Sequence, residues 1–500
     1  MSNLFILLKY NFLMTIGLLR GKKSKSNKVG IVLFCLLTLV IIFASGMQAY
    51  SMYEVLCETN TQENLLFSGV STLILFSLVM GGLRSSNTKR TQDADFLLSL
   101  PIKKSTIVLS KTVGKYFYDF FFDFCIFAPY IIIGAVKVGY SALVIFMGIF
   151  ICFLMPFLSV GLTFIVDFIV QRIFNKSKYS GILKSIFSLL LFCAIFFWYY
   201  LSENNFLTRC LTGFIYTPNY KNILGTLGLT IGVFFVGILL FTLTFGRSTS
   251  RFKSKTKKVN FSKPRSPFSL LLRKETAYYF STPVYFINTI IGPFMMILGL
   301  VIVLTLQLDL SGEVMSLSSK DFIALIAAIA LSAMSASSTI SASSISLEGK
   351  NLWLLKSSPV KEKDVFLSKI TLHNLVILPA IIVSAVTLFI MLNMSLAQFF
   401  EMLILPTLVT ILGSVLGLYY NLCFPILDYE SETKVIKQSL SVFLTMFSLL
   451  PVSALPIILI KLTPLLPLQV FYVSLIFDFI LCIVFTFLVF TDGVKRFRKL

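Results

Sequence analysis

Polar and apolar positions along this chain come in blocks. Apolar runs of about 18 to 22 residues, nearly free of charge, recur between short polar stretches, and a helix of that length crosses roughly 30 Å of hydrocarbon. Strand-length alternation is missing, so a barrel is excluded and helices remain as the way to satisfy backbone groups in lipid. The pattern predicts twelve spans, at about 29–48, 65–83, 117–136, 142–166, 185–201, 222–245, 284–307, 321–341, 373–392, 397–420, 439–459 and 466–490. The expected fold class is therefore an all-α integral membrane protein. Prolines crowd the last two spans (Pro451, Pro456, Pro464, Pro467) and predict broken or re-entrant helix near the outer face.

Composition agrees with the blocks. The chain has 500 residues, 57% of them hydrophobic and 13% charged, with mean hydropathy +0.90. A net charge of +21 raises the question of nucleic acid, but the distribution of the charge answers it. With an inside N-terminus, 38 of the 43 Lys and Arg fall in the inner segments 1–28, 84–116, 169–184, 246–283, 342–372, 425–438 and 491–500. The other five, Lys137, Arg209, Lys221, Lys320 and Lys461, are outside. Such a bias orients a membrane protein with both termini in the cytoplasm, here in the cell membrane. The basic excess then reports topology and attraction to anionic inner-leaflet lipid, and no nucleic-acid partner is expected.

The first 28 residues do not fit a signal peptide, because their charges follow the apolar part. An interfacial helix is expected there. Six cysteines (Cys35, Cys125, Cys152, Cys193, Cys423, Cys482) fall in or at the ends of spans as apolar filler, and none has metal spacing. Cys57 and Cys210 lie in outer loops, where they are either free or paired in an oxidising exterior.

The chain repeats itself. "LLSLPIKKSTIVLSK" (97–111) aligns without gaps to "LKSSPVKEKDVFLSK" (355–369) at an offset of 258, with seven of 15 residues identical. Both copies lie between the second and third span of a six-span unit. An apolar-basic stretch opens each unit: "LLKYNFL" (7–13) and "SLLLRKETAYYF" (269–280). Six is even, so the halves are expected to be parallel repeats forming a pseudo-dimer. The units are 1–262 and 263–500, joined through the Ser- and Lys-rich linker 246–268.

Within each copy the residues read as short apolar helix, proline turn and capped helix. Pro101 and Pro359 push Leu100 and Ser358 toward extended backbone, and Thr106 and Asp364 are the expected N-caps. Two alternatives stand for this segment: an amphipathic hairpin resting on lipid headgroups, or two equivalent docking points for a two-fold partner. The outer loops are too short for a folded domain.

The segment is similar to the cytoplasmic "LLSLP(I/V)…(I/V)…K" stretch that follows the second span in the ABC-2 family of ABC transporter permeases. The likeness covers the topology of nearly the whole chain but only about 15 residues of motif per half. The resemblance implies interfacial elbow helices at about 4–20 and 268–280. It also implies coupling contacts to an ATP-binding subunit at Phe96, Leu97, Leu98, Ser99, Leu100 and Pro101. In the second half those contacts would be Leu354, Leu355, Lys356, Ser357, Ser358 and Pro359. This chain departs from the commonest family form by fusing two units. Its two copies also differ, Lys104 facing Glu362 and Ser105 facing Lys363.

A P-loop is missing, since "GLLRGKKS" (17–24) has too few residues between its glycines and Lys where Ser or Thr is required. The chain is thus expected to be no enzyme. ATP and Mg would be bound by a separate partner, a dimer of ATP-binding subunits. Asp119 and Asp123 lie one turn apart at the start of the third span, either as a proton relay or as anions suited to a helix start. Asp478, near the middle of the last span, is the candidate for a translocation path. His373 is the only histidine, and the Ser-rich run 331–346 favours close helix packing over a polar path.

The expected function is a permease subunit of an ATP-driven exporter of lipid-like, peptide or drug-like substrates. The alternatives are an ion-coupled secondary transporter, which needs discontinuous helices in both halves, and a non-transporting membrane partner of an ATPase.

Overall fold

The computed structural model of the protein describes residues 6–7, 25–58, 61–84, 102–174, 183, 186–187, 190, 206–244, 266–305, 320–429, 432–437 and 439–500. Among the described residues there is no strand. Among the same described residues, ten helices are long and apolar enough to cross a membrane. Ten of the twelve expected spans are met by these, and the second by a further 20-residue helix at Leu65–Arg84. The fifth expected span, 185–201, lies almost wholly outside the described residues.

Backbone contacts divide the chain into two compact units, Met1–Thr256 and Lys257–Leu500, and the division falls inside the basic linker. The first unit contains α1 (Lys25–Glu58), α2 (Leu65–Arg84), α3 (Lys104–Ile133), α4 (Ala142–Phe174), α5 (Phe206–Tyr216) and α6 (Tyr220–Thr244). Helix α4 is its centre, packed on α2, α3, α5 and α6. Contact between α4 and α6 is close because Gly161 faces Gly237: a Cβ built on Gly237 would stand 2.5 Å from the Gly161 carbonyl oxygen. Small residues at a crossing let two backbones approach where no hydrophobic force drives them together.

The second unit begins with α7 (Pro267–Ser281) and α8 (Pro283–Thr305). Ser266 caps α7 by accepting a hydrogen bond from the Ser269 amide, and Pro267 fits the first helical position, where no donor is needed. Then come α9 (Lys320–Ala336), α10 (Ile340–Ser344), a 3₁₀ turn (Ser346–Asn351), α11 (Leu352–Ser357) and α12 (Glu362–Met391). The unit closes with α13 (Leu396–Cys423), α14 (Glu432–Lys437), α15 (Leu440–Leu462), α16 (Pro467–Leu488) and α17 (Val494–Lys499). Helix α13 is the hub here, touching α9, α10, α12, α15 and α16. Its start carries a full capping box, with Ser395 and Gln398 bonded to each other's backbone.

The offset of 258 survives in three dimensions. Helices α3 and α12 are both 30 residues long and start at positions 258 apart. Buried Ile107, Val108 and Ser110 correspond to buried Val365, Phe366 and Ser368, while Leu109 and Leu367 are both exposed. In α4 and α13, buried Ile151, Leu154, Leu158, Val160 and Phe164 correspond to buried Val409, Leu412, Leu416, Leu418 and Leu422. Each half therefore turns the same faces of its third and fourth spans inward.

Two expectations are corrected. Thr106 and Asp364 are not N-caps: α3 and α12 begin two residues before them, with Lys103 and Lys361 in extended geometry at the cap and no side-chain cap bond. The proline already sets the chain extended, so the helix starts as soon as that constraint ends. The prolines near the end also do not break a helix. Pro451 and Pro456 sit inside the continuous α15, Pro464 lies in the connection, and Pro467 opens α16 at its first position. The discontinuity occurs elsewhere, at Ser337–Thr339 between α9 and α10.

Candidate functional site

The repeated segment can be described fully in the second half. Helix α11 buries Leu352 and Leu355, spaced i and i+3, in a core shared with Leu271, Val365, Phe366 and Phe497. The same spacing turns Trp353 and Leu354 outward, 63% and 52% exposed. Pro359 holds Ser358 extended (φ −76°, ψ 147°), and the Ser358 hydroxyl donates to the Leu355 carbonyl at 2.6 Å, closing the short helix. Lys356, Ser357 and Pro359 are exposed. Lys356 donates to the Arg498 carbonyl (3.1 Å), and Arg498 in turn pairs with Glu362 at 2.7 Å.

Of the coupling residues expected here, Leu354, Lys356, Ser357 and Pro359 reach the surface, whereas Leu355 belongs to the core of its own unit. Trp353, outside that set, is the most exposed apolar residue of the helix. In the first half, Phe96, Leu97, Leu98, Ser99, Leu100 and Pro101 lie outside the described residues.

Behind α11 is a buried charge cluster. Lys369, from the repeated "LSK", is buried and donates to Glu275 Oε1 (2.9 Å), Glu348 Oε1 (3.0 Å) and the Ser344 carbonyl (3.0 Å). Lys274 closes the set on the outer side, at 2.5 and 2.7 Å from the two Glu348 oxygens. Two lysines and two glutamates make it neutral, which is the condition under which charges persist away from water. The cluster joins α7 (Glu275), the turn before α11 (Glu348) and α12 (Lys369). Sequence alone marked Lys369 as a repeated lysine. Its partners were hidden because they come from 94 and 21 residues away.

Between α7 and α11 lies an open cleft of about 360 Å³, lined by Lys274, Tyr278, Glu348, Asn351, Leu354 and Ser358 among others. At its edge the Tyr278 hydroxyl faces Glu432 at 3.4 Å. Burial pushes the Tyr278 hydroxyl's pKa above the usual tyrosine value, and the Glu432 charge adds to the rise.

Past the break, one residue holds the chain where α10 passes into the 3₁₀ turn. The Asn421 side-chain oxygen accepts from the Ile345 and Ser346 amides (2.8 and 3.0 Å), and its NH₂ donates to Ser346 and Ser441. His373 is buried, its Nδ1 accepting from the Ser341 amide at 3.4 Å. Most serines of 331–346 donate to backbone carbonyls, as Ser338 does to Thr289 (2.8 Å). Their small size admits neighbours too: a Cβ on Gly417 would stand 2.6 Å from the Ser341 hydroxyl.

The acids are inside. Asp119 is buried and accepts from Ser159 at 2.6 Å, and Asp123 is buried one turn later. Their counterparts 258 positions on are the buried Ile377 and Ile381, so the acids belong to the first half alone. Asp478 is buried with Ser474 and Cys482 on one face of α16, and its Oδ1 has no hydrogen-bond partner among the described residues. Buried Glu401 on α13, which the sequence did not single out, likewise has one unpartnered oxygen. Among the described residues no three His, Cys, Asp or Glu are grouped to hold a metal ion. Cys57 and Cys210 carry free thiols. No family model, no curated protein and no solved structure matches the chain.

Proposed function

We propose that the chain is the membrane-spanning permease subunit of an ATP-driven exporter of the ABC-2 type. It docks a dimer of separate ATP-binding subunits through segments 95–111 and 353–369, both on the cytoplasmic side. The observation that carries this reading is the outward-facing pair Trp353 and Leu354 on a short helix between two turns. Exposed Lys350, Lys356, Lys361 and Lys363 surround that pair in sequence. An apolar anchor with a basic rim suits a partner groove edged with acids. The shared register of the two halves supports a second point of the same kind at 95–111. ATP and Mg belong to the partner. Lipid-like, peptide and drug-like substrates all fit, and Asp478 is assigned to the translocation path.

The test is co-purification with the candidate ATPase, using Trp353→Asp, Leu354→Asp and Leu98→Asp. Loss of the complex and of coupled ATP hydrolysis, with the membrane chain still folded, supports docking; an unaffected complex sinks it. Leu355 is left intact because its burial would confuse a docking defect with a folding defect. A folded complex whose ATP turnover no substrate stimulates would favour the non-transporting partner.

An ion-coupled transporter draws support from the break at Ser337–Thr339 and from the unpartnered oxygens of Asp478 and Glu401. It lacks the matching discontinuity, since α2 runs unbroken through residues 79–81, the positions 258 before the break.

A further inference from the structure

Away from α11, where α9 and α13 begin, the second unit holds buried acid that no base neutralises among the described residues. Gln398, buried in the first turn of α13, donates its amide across to Asp321 Oδ1 on α9 at 2.8 Å. Its carbonyl end is used in the capping box, accepting from the Ser395 amide. One turn further along the same face of α13 is Glu401, 3% exposed. Its Oε2 has no hydrogen-bond partner among the described residues, and the charge of Asp321 acts on it. Lys320, next to Asp321 in sequence, turns instead to the Asn393 carbonyl at 3.0 Å. Packing does not require the acid. At the positions 258 earlier, Tyr140 donates to the Glu63 carbonyl at 2.9 Å, matching the Gln398–Asp321 contact, while exposed Leu143 stands where Glu401 is.

We propose that Glu401 and Asp321 bind a hard divalent cation of the calcium class, which clamps α13 to α9. A buried carboxylate persists where an opposite charge or a metal meets it, and the Lys369 cluster illustrates the first solution. Here two carboxylates offer oxygen ligands and two negative charges, which one divalent cation cancels. No histidine joins them to favour a softer metal, since His373, the only one, sits beside Ser341. Asp321 is half-buried at the start of its helix, so the cation enters from solvent and keeps water for its remaining ligands. With the termini inside, this end of the unit faces the exterior, where calcium sites work at about 10⁻⁴–10⁻³ M. The site needs no ATP-binding partner, so it and the coupling reading can fail separately.

The experiment is equilibrium dialysis of the purified full chain, stripped with EGTA, against radioactive calcium in detergent at neutral pH. Thermal unfolding is followed on the same samples. The expected result is one saturable calcium per chain, half-saturated at about 1 mM or below. Glu401→Gln and Asp321→Asn each weaken it by about ten-fold or more, and Asp428→Asn, at an exposed acid, leaves it unchanged. Calcium also raises the unfolding temperature of the parent above that in sodium chloride of equal ionic strength, and does not do so in Glu401→Gln. The proposal is overturned by the absence of saturable binding up to about 10 mM, ten times the weak end of that range. Binding that both variants retain, or an equal effect of sodium chloride, also overturns it. Stabilisation by mild acid with none from calcium would make the pair a shared-proton site and likewise overturns it. If one variant fails to fold by gel filtration, the parent's dialysis and the other variant decide.

Discussion

Lys369 donates a hydrogen bond to Glu275 at 2.9 Å across 94 residues of sequence, with both side chains buried. Lys369→Met leaves Glu275 and Glu348 to share Lys274 alone, and removing one partner from a buried pair costs about 3–5 kcal/mol. The double change Lys369→Met with Glu275→Gln leaves Glu348 matched to Lys274 and should recover most of that loss. Thermal unfolding in detergent measures both. Equal destabilisation by the single and double variants would falsify the neutral-cluster account.

Glycines divide into those that permit a crossing and those that face open space. Gly161→Ala or Gly237→Ala forces a methyl into backbone atoms of the opposite helix, so α4 and α6 must separate. Each should cost about 1–3 kcal/mol, as overpacking does. Gly228→Ala and Gly232→Ala on the same α6 meet nothing within 4 Å and should gain about 0.5–1 kcal/mol from the better helix former. Melting temperatures that do not separate the two pairs count against close packing of α4 on α6.

Alkali should loosen the second unit through Tyr278. Its pKa is raised above the usual value, first by burial and then by the charges of Glu432 and Tyr429. A tyrosine in the unfolded chain loses its proton near pH 10, while the folded one still holds its own. Deprotonation therefore favours the unfolded state above about pH 10, and the stabilising contribution is intact below that pH. Stability measured from pH 8 to 11 should fall less steeply for Tyr278→Phe than for the parent chain. Superimposed curves would remove Tyr278 as the cause.

Asp478→Asn keeps the shape of a buried side chain and removes its ability to carry charge. If Asp478 serves the translocation path, export falls about ten-fold or more while thermal unfolding moves little, the separation expected of a functional carboxyl inside the membrane. A variant that exports normally in vesicles takes Asp478 out of the path.

What was legible in the sequence is what depends on local pattern. Runs such as 142–166 and 222–245 mark helices because lipid leaves the backbone no other partner. The repeat at 97–111 and 355–369 already contained the register that Ile107 and Val365, or Val160 and Leu418, display in their burial. What escaped depends on distant neighbours. Nothing near Ser337 says that its helix stops there, because the groups that hold the chain past the break are distant: the Ser341 amide donates to His373, 32 residues away, and the Ile345 and Ser346 amides to Asn421, 76 and 75 residues away. Prolines misled for the same reason: Pro451 and Pro456 carry a local signal for breakage, and neighbours keep α15 continuous. Leu355 looked like a contact residue until its spacing from Leu352 placed both in the core.

The constant offset of α3 from α12 and of α4 from α13 has a practical use. The chain carries an internal control for its own mutagenesis, since any change at Ser110 or Leu158 can be repeated at Ser368 or Leu416 in the same environment class. Where both copies respond alike, the residue serves the shared scaffold. Where only one responds, as Asp119 opposite Ile377 invites, the change has reached something that one half alone contains.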